Sequence, residues 1–283
     1  MAAAKIIHCS SLAIVAALAI SAGCPAAEPP QSAACDGWPA WRGAAGDGIA
    51  AGCKLPTPWP DKPLPLVWEA PLKEGWSSPV VAEGRLFITD RDGGAERLLA
   101  FDAESGRPLW QLTNLVDFDP HAVGRRHGNG PKSTPVVAGG RVYSLGIAGW
   151  LQCVDARSGE PHWQMNLPAK FGQHQPLPSN KAFVDREENV IVPVGKDLGA
   201  PVPLFGYTGS PLVRDGRLIC PIGQPQVGTV AALDGASGKI IWHALEEHVS
   251  YSSPIVAELA GVRQVVLMTG PRVVGLAWDD GRL

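Results

Sequence analysis

The stretch AFDAESGRPLW at Ala100–Trp110 has two close copies, CVDARSGEPHW at Cys153–Trp163 and ALDGASGKIIW at Ala232–Trp242. Each copy begins with a small residue, has Asp two places later and a Ser-Gly pair near its middle, and ends in Trp. The Asp side chain can accept backbone N–H groups in a turn, and Gly can adopt the positive φ that the turn requires. The pattern therefore predicts a repeated strand-turn-strand hairpin.

A second repeated phrase precedes each Trp phrase. It reads as an apolar strand, a two-residue turn that contains Gly, and a second alternating strand, which is typical of a tight hairpin. The copies are SSPVVAEGRLFI at Ser77–Ile88, STPVVAGGRVY at Ser133–Tyr143, GSPLVRDGRLI at Gly209–Ile219 and SSPIV at Ser252–Val256. The fourth copy is expected to have a longer turn, within the letters AELAGVRQ that follow.

Two hairpins in succession make one four-stranded antiparallel unit. Such units recur near residues 77–112, 133–167, 209–245 and 252–283, with a long loop at 173–203. Tandem four-stranded units favour an all-β propeller over a β-sandwich. The last unit ends in GLAWDDGRL at Gly275–Leu283, before its Trp, so we expect about four blades, the last incomplete, in a chain truncated relative to its relatives.

A blade must bury both faces against neighbouring blades, so a recurring aromatic residue is expected where blade packs on blade. The small residue that begins each phrase would leave room for the indole. We therefore predict a structural docking role, rather than ligand binding, for the repeated Trp and Gly residues. They are Trp110, Trp163, Trp242, Gly106, Gly159 and Gly238.

The bulk composition excludes one class of partner. Of 283 residues, 45% are apolar and 18% charged, and the formal net charge is −3 with no basic block. Nucleic-acid binding depends on clustered Lys and Arg, so no nucleic-acid partner is predicted.

The N-terminus is typical of an exported protein. Lys5 precedes the apolar run Ser11–Ala22, which predicts a secretory signal peptide over residues 1–27, followed by an extended segment over 28–67. Ser21-Ala22-Gly23-Cys24 is similar to a lipobox, which would place a lipid anchor on Cys24, and cleavage after Ala27 is the alternative. The predicted location is the periplasm or cell envelope.

Export also makes disulfides permissible. Cys35 and Cys53 bracket a short Gly-rich segment and could form a disulfide across it. Cys153 and Cys220 lie in apolar, strand-like runs and are predicted to be buried free thiols.

The Trp phrases resemble the tryptophan-docking motif of quinoprotein (PQQ) repeats, Ala-x-Asp-x-x-Thr-Gly-x-x-x-Trp, with Ser in place of Thr. The resemblance extends roughly from Trp68 to Leu283 and implies a PQQ-like propeller of about six to eight blades. WPAWRGAAGDG at Trp38–Gly48 and FGYTGSPLV at Phe205–Val213 resemble exported PQQ-like repeat proteins of planctomycetes and related bacteria. The lipoprotein of the outer-membrane barrel-assembly machinery is similar at greater distance.

Quinoprotein alcohol dehydrogenases hold PQQ beside a vicinal disulfide, with Ca²⁺ bound by Glu, Asn and Asp. The chain has no adjacent cysteines, and no such ligand set stands at matching positions. Asp90–Gly94 is interpreted as a hairpin turn, and His121 and His127 lack the companions of a metal site. No catalytic, cofactor-binding or metal-ligating residue is predicted. PQQ with Ca²⁺ is expected only if the chain is a dehydrogenase.

One feature could carry binding. A large or polar residue stands just before each Ser/Thr-Pro phrase, and the first strand of a propeller blade lines the central channel. These residues would then ring one mouth of the channel, although packing beneath loops is an equally good interpretation. The candidate rim residues are Trp76, Lys132, Tyr207 with Thr208 after it, and Tyr251, together with Arg125, Arg126 and His127 from the loop before the second unit.

The sequence thus favours an exported, non-enzymatic propeller that binds a protein or glycan partner or serves as an assembly scaffold. Membrane association is expected only through a lipid anchor at Cys24. The alternative is a PQQ-dependent alcohol or sugar dehydrogenase, or an inactive relative of one.

Overall fold

The computed structural model describes residues 3–6, 37–50, 52–53, 57–116, 118, 124, 126–170, 205–224 and 228–283. The predicted loop at 173–203, most of the predicted signal peptide, Cys24, Cys35 and Arg125 lie outside these residues. Among the described residues the regular structure is almost entirely β-strand, with one helical turn, α1 (Leu167–Lys170), after blade 2. Within the described residues, no helix has both the length and the apolar character needed to cross a membrane.

The strands form antiparallel sheets in chain order, as a propeller requires. Blade 1 contains β3 (Val80–Ala82), β4 (Arg85–Asp92), β5 (Ala95–Asp102) and β6 (Pro108–Leu115). Blade 2 contains β7 (Val136–Ala138), β8 (Arg141–Leu145), β9 (Trp150–Asp155) and β10 (Pro161–Asn166). Blade 3 contains β11 (Leu212–Arg214), β12 (Arg217–Gln224), β13 (Gly228–Asp234) and β14 (Ile240–Ala244).

Blade 4 has three strands, β15 (Ile255–Leu259), β16 (Val262–Met268) and β17 (Val273–Ala277). A separate pair joins β1 (Ala3–Ile6) to β2 (Trp68–Pro71), so four residues of the predicted signal peptide lie in a strand. The prediction of an all-β propeller with four-stranded antiparallel blades is confirmed.

The first hairpin of every blade closes with a two-residue turn in which both residues have positive φ. This geometry matches the right-handed twist of the flanking strands. The four turns are Glu83-Gly84, Gly139-Gly140, Asp215-Gly216 and Ala260-Gly261. The longer fourth turn expected from the sequence is therefore wrong, because the extra letters AEL extend β15 instead.

The second hairpin turns on the Asp and Gly of the Trp phrase. Asp102 Oδ1 accepts the Ser105 N–H at 2.9 Å, and Gly106 N–H donates to the Asp102 carbonyl at 2.9 Å. Asp155 and Asp234 accept the corresponding serine N–H groups, each at 2.8 Å. Hydrogen bonds from the serine hydroxyl and then the serine N–H hold the pKa of Asp102 and Asp234 below its ordinary value. For Asp155 the backbone N–H groups of residues 158 and 157 are the main cause of the lowered pKa.

The hydrophobic core lies in layers between successive sheets. One cluster joins blades 1 and 2, another joins blades 2 and 3, and a third joins blades 3 and 4. On the other face of blade 1, β2 contributes Ala70 and Trp68 to a cluster with Leu86 and Phe101. Blade-on-blade burial thus dominates, as expected for a repeat fold in which each sheet covers the next.

The second residue of each Ser/Thr-Pro phrase links its blade to the preceding one. Ser78 N–H donates to Thr134 Oγ1 at 3.1 Å, and Thr134 N–H donates to Ser210 Oγ at 3.0 Å. Ser210 N–H then donates to Ser253 Oγ at 2.9 Å. We call this series the hydroxyl ladder. It explains why a hydroxyl residue recurs at this place, because the side chain satisfies a backbone donor of the neighbouring blade.

The three cysteines that the structure describes are of two kinds. Cys53 is disulfide-bonded, while Cys35, its predicted partner, lies outside the described residues. Cys153 and Cys220 are free and fully buried, as predicted. Burial raises the pKa of the Cys153 thiol to about 11 and raises that of Cys220 as well, so both thiols stay protonated at neutral pH.

Candidate functional site

Each repeated Trp reaches from its own blade to the next. Trp110 Nε1–H donates to the Ala156 carbonyl at 3.1 Å, and Trp163 Nε1–H donates to the Gly235 carbonyl at 2.9 Å. Trp242 Nε1–H donates to the Trp278 carbonyl at 3.1 Å. Trp110, Trp163 and Trp242 stand directly opposite Ala100, Cys153 and Ala232 on the adjacent strands.

The glycines of the Trp phrases receive these indoles. A Cβ built on Gly159 would lie 2.7 Å from the Trp110 ring, and one on Gly238 would lie 2.8 Å from the Trp163 ring. Gly281 has the same relation to Trp242, at 2.6 Å. The Gly of one phrase therefore contacts the Trp of the preceding phrase, not the Trp of its own.

Sequence reasoning missed one member of this series. Trp68 Nε1–H donates to the Ala103 carbonyl at 3.0 Å, and its ring lies against Gly106, where a Cβ would come within 2.5 Å. The letters around Trp68 lack the Asp and Ser-Gly that mark the other three phrases. The spacing to the next Ser/Thr-Pro phrase is no guide either, because it differs widely among the repeats.

Several candidate rim residues lie in one continuous band at the starts of the first strands. His127 and Tyr251 each pack edge-on against Phe205, with ring centroids 5.2 Å apart. Trp76 Nε1 would be 3.2 Å from a Cβ on Gly128, the neighbour of His127. As whole residues, Trp76 and Tyr251 are 63% and 44% exposed. We call this band, Trp76-Gly128-His127-Phe205-Tyr251, the aromatic rim.

The loop before blade 2 supports the aromatic rim from below. Trp76 N–H donates to the Pro131 carbonyl at 2.7 Å, and Asn129 N–H donates to Glu74 Oε1 at 2.7 Å. Lys132 Nζ donates to the Gly128 carbonyl at 3.2 Å, and burial lowers the pKa of Lys132. Lys132 thus braces the loop with a half-buried side chain. Arg126 is exposed beside His127.

Tyr207 does not belong to the aromatic rim, and its predicted place there is wrong. It is only 3% exposed, and its backbone N–H donates to the Ile147 carbonyl at 2.9 Å. Its ring lies against Gly149, where a Cβ would come within 2.5 Å of Cε2. A loop of blade 2 therefore covers Tyr207. This agrees with the alternative interpretation, in which residues before the Ser/Thr-Pro phrases pack beneath loops.

The segment WPAWRGAAGDG lies across the first strands of three blades. Trp38 exchanges backbone hydrogen bonds with Val81 of blade 1, at 2.7 and 2.9 Å. Val137 N–H of blade 2 donates to the Pro39 carbonyl at 2.8 Å, and Arg214 Nη2 of blade 3 donates to the Ala44 carbonyl at 3.2 Å. Sequence reasoning associated this segment with a family but assigned it no contacts.

The Gly and Asp residues of this segment shape a tight turn. Gly43 N–H donates to the Ala40 carbonyl and Gly48 N–H to the Arg42 carbonyl, both at 2.9 Å. Arg42 Nη2 donates to the Asp47 carbonyl at 3.1 Å. A Cβ on Gly43 would come within 3.0 Å of the Trp38 ring, so only Gly fits at this approach.

A cavity of about 340 Å³ lies between this turn and the first strands of blades 2, 3 and 4. We call it the axial cavity. Trp41 and Arg42 line one side, and Arg214, Tyr251 and Ile255 line the other. Because Tyr251 belongs to both, the axial cavity and the aromatic rim form one continuous surface.

A buried carboxyl group lies elsewhere, between blades 1 and 2. Glu96 is 4% exposed, and its Oε1 accepts the Ile147 N–H at 2.7 Å. Burial raises the pKa of Glu96 to about 7, against the opposing effects of that hydrogen bond and of the Arg91 and Lys132 charges. The adjoining space is only about 10 Å³, which is too small for an organic ligand.

The described residues do not fit a PQQ and Ca²⁺ site. Cys153 on β9 and Cys220 on β12 belong to different blades and are not vicinal. Across the part of the chain that the structure describes, no three His, Cys, Asp or Glu residues are grouped so that they could hold a metal ion.

Comparison with known proteins identifies related sequences. Residues 65–117 and 96–283 match the family model described as outer membrane protein assembly factor BamB. The outer membrane protein assembly factor BamB of Vibrio cholerae serotype O1 is 31% identical over 103 residues, which cover 32% of this chain and 22% of that protein.

Solved structures share the fold. A europium-containing methanol dehydrogenase superposes with a TM-score of 0.51 at 15% identity, covering 79% of this chain and 45% of that one. Identity this low shows the fold alone. BamB from Moraxella catarrhalis, at 18% identity over 77% of this chain and 63% of that one, gives a TM-score of 0.32, too low to compare sites. The chain spans less than half the length of the Vibrio protein or the dehydrogenase.

Proposed function

Because the chain belongs to the BamB family of outer membrane protein assembly factors, we propose that it is an exported, non-enzymatic scaffold that binds another protein of the cell envelope. The family match favours a protein over a glycan as the partner. The aromatic rim is the observation that carries the proposal.

Exposed aromatic side chains grouped on one surface are typical of protein-binding sites. Tyr and Trp bury large areas with few rotatable bonds, and they are enriched among residues that dominate binding energies. Trp76 and Tyr251 are both exposed, and Tyr251 packs edge-on against Phe205, which orients its ring. The docking tryptophans Trp110, Trp163 and Trp242, by contrast, are engaged between blades and are not available to a partner.

A photo-crosslinking experiment tests this function. A photoreactive phenylalanine analogue would replace Trp76 or Tyr251 in the full chain, expressed in the organism that makes it. Leu115 and Ile241, which are 87% and 47% exposed on outer strands, provide matched control positions. We expect one discrete envelope protein to be captured from the rim positions and not from the controls. Equal capture from all four positions, or none from the rim, would contradict the proposal.

We further propose that residues 1–27 direct export and that Cys24 carries a lipid. Metabolic labelling with a radioactive fatty acid would detect the anchor, and Cys24→Ser would abolish the label while leaving export intact. Labelling that persists in Cys24→Ser would exclude this anchor site. Processing after Ala27 without label would support the soluble periplasmic form.

The dehydrogenase alternative has a direct test. The purified chain would be incubated with PQQ and Ca²⁺ and assayed for dye-coupled alcohol oxidation and for a change in melting temperature. We expect neither, because the described residues provide neither a vicinal disulfide nor a metal-ligand group. Oxidation above the level of free PQQ would replace the scaffold proposal with an enzymatic one.

A further inference from the structure

We propose that the axial cavity binds a short acidic peptide segment of the partner protein. This inference rests on the proposed function and names the chemistry by which the partner is recognised. It is carried by the charge, the exposed aromatic surface and the rigid construction of the cavity.

The charged groups of the cavity have one sign. Arg42 and Arg214 line it, and no described residue that lines it is acidic. Each guanidinium donates from one nitrogen to a backbone carbonyl, and neither forms an ion pair with a described residue. A guanidinium has five N–H donors in a fork that matches a carboxylate, so each side chain keeps donors for an incoming anion.

Two acidic residues are close in sequence to the cavity arginines, and each has another partner. Asp47 Oδ1, in the same turn as Arg42, accepts the Ile49 N–H at 2.8 Å. Asp215, which follows Arg214, forms an ion pair with Arg263 at 2.6 Å. Neither carboxylate forms an ion pair with Arg42 or Arg214 among the described residues.

Apolar groups complete the site. Trp41 is 46% exposed, Tyr251 44% and Ile255 39%, and all three line the cavity. An isolated anion needs no such surface, whereas a peptide presents apolar side chains and backbone beside its carboxylates. The volume of about 340 Å³ is at the lower end of the range for ligand pockets, about 300–1,000 Å³. It suits a few residues of extended chain rather than a folded domain.

The cavity walls are held in place before any ligand arrives. The turn that carries Trp41 and Arg42 is closed by backbone hydrogen bonds from Gly43 and Gly48, and Trp38 pairs with β3. Side chains on a prearranged framework lose less conformational entropy on binding than side chains of a free loop.

A matched pair of peptides tests the inference. The probes are acetyl-Gly-Asp-Phe-Asp-Gly-amide and its isosteric Asn counterpart, titrated into the full chain by isothermal calorimetry at low salt. We expect the Asp peptide to bind at least about tenfold more tightly than the Asn peptide. Its affinity should fall as salt is raised from 20 to 300 mM, since salt screens exposed charges.

Three variants locate the binding. Arg42→Gln and Arg214→Gln should each weaken the Asp peptide by about tenfold or more and bring it close to the Asn peptide. Arg157→Gln removes an exposed arginine from a turn of blade 2 and should leave the affinity unchanged. The salt series on the unaltered chain gives an independent answer if either cavity variant fails to fold.

Equal affinity for the two peptides, or equal weakening by Arg157→Gln, would overturn the inference. PQQ is a tricarboxylate and serves as a competitor. The inference would also be overturned if PQQ displaced the peptide, bound more tightly than it, and needed the same two arginines. If the analogue at residue 76 captures an envelope protein but the Asp peptide does not bind, only the cavity assignment is refuted. If there is neither crosslinking from the rim positions nor peptide binding, the proposed function is refuted as well.

Discussion

The indole of Trp163 in blade 2 lies against Gly238 in blade 3, where a Cβ would be 2.8 Å from the ring. The same indole donates a hydrogen bond to the Gly235 carbonyl at 2.9 Å. Each Trp phrase therefore takes part in two contacts between blades. Its Trp packs on the following blade, and its Gly lies against the Trp of the preceding blade. This arrangement fixes the spacing between successive blades.

Trp163→Ala should lower the free energy of unfolding by about 3–5 kcal/mol, because it removes a large contact between two blades and leaves a cavity. Urea unfolding measures the loss. Trp163→Phe should cost less, since it keeps much of the ring contact while losing the hydrogen bond and part of the indole. Trp59→Ala, at a site 57% exposed, should change little. An unchanged midpoint for Trp163→Ala would refute the docking role.

Gly159→Ala should destabilise more than Gly216→Ala, although φ is +75° and +72° at the two sites. Both changes place a Cβ in the left-handed region, at a cost of about 1–2 kcal/mol. Only the Cβ on residue 159 meets another group, the Trp110 ring at 2.7 Å, whereas residue 216 faces open space. We expect an additional loss of about 1–3 kcal/mol at residue 159. Equal melting temperatures for the two variants would show that the Trp110 indole moves aside at no cost in stability.

Thr134→Val should cost about 1–3 kcal/mol, because it removes the acceptor of the Ser78 N–H while preserving side-chain shape. Thr134→Ser should recover most of the loss. The adjacent Ser133→Ala is a matched control, since Ser133 Oγ is buried and has no hydrogen-bond partner among the described residues. That control should be neutral or stabilising. Equal effects at 133 and 134 would contradict the importance of the hydroxyl ladder.

Glu96→Gln should change the pH dependence of stability. The pKa of Glu96 is raised from 4.5 to about 7 in the folded chain, so the folded state binds this proton more tightly than the unfolded state does. The associated stability is complete below pH 4.5 and is lost as pH rises through 7. Unfolding free energies of the wild type should fall relative to Glu96→Gln by up to about 3 kcal/mol across this window. Parallel curves would mean that Glu96 titrates normally.

Sequence patterns identified the features that depend on local chemistry. The Asp, Ser and Gly of the Trp phrase act within one turn, and the Gly-containing hairpin turns need only their own backbone angles. The pairing of Gly159 with Trp110 depends on how one blade stacks on the next, so repetition could indicate a docking motif but not its direction. Trp68 was missed because the residues before it lack the Asp and Ser-Gly that mark the other Trp phrases.

Features without repetition could not be predicted. Tyr207 stands one residue earlier in its repeat than Tyr251, four places rather than three before the Pro. A loop through Ile147 and Gly149 buries Tyr207, while Tyr251 stays exposed. Glu96 stands on an alternating strand like many exposed glutamates and is buried only because blade 2 covers it. The axial cavity requires Trp41 and Arg214, which are remote in sequence.

The segment Trp38–Gly48 has a consequence for the order of folding. The hydrogen bond from Arg214 to the Ala44 carbonyl spans 170 residues, and contacts of such separation form late because a long loop must first be closed. Blades can collapse and stack one after another as the chain is released, but the segment can settle only after blade 3 exists. Trp38 can pair with Val81 as soon as blade 1 exists. Trp41, in the turn that Arg214 holds, reaches its final surroundings only after blade 3 has formed.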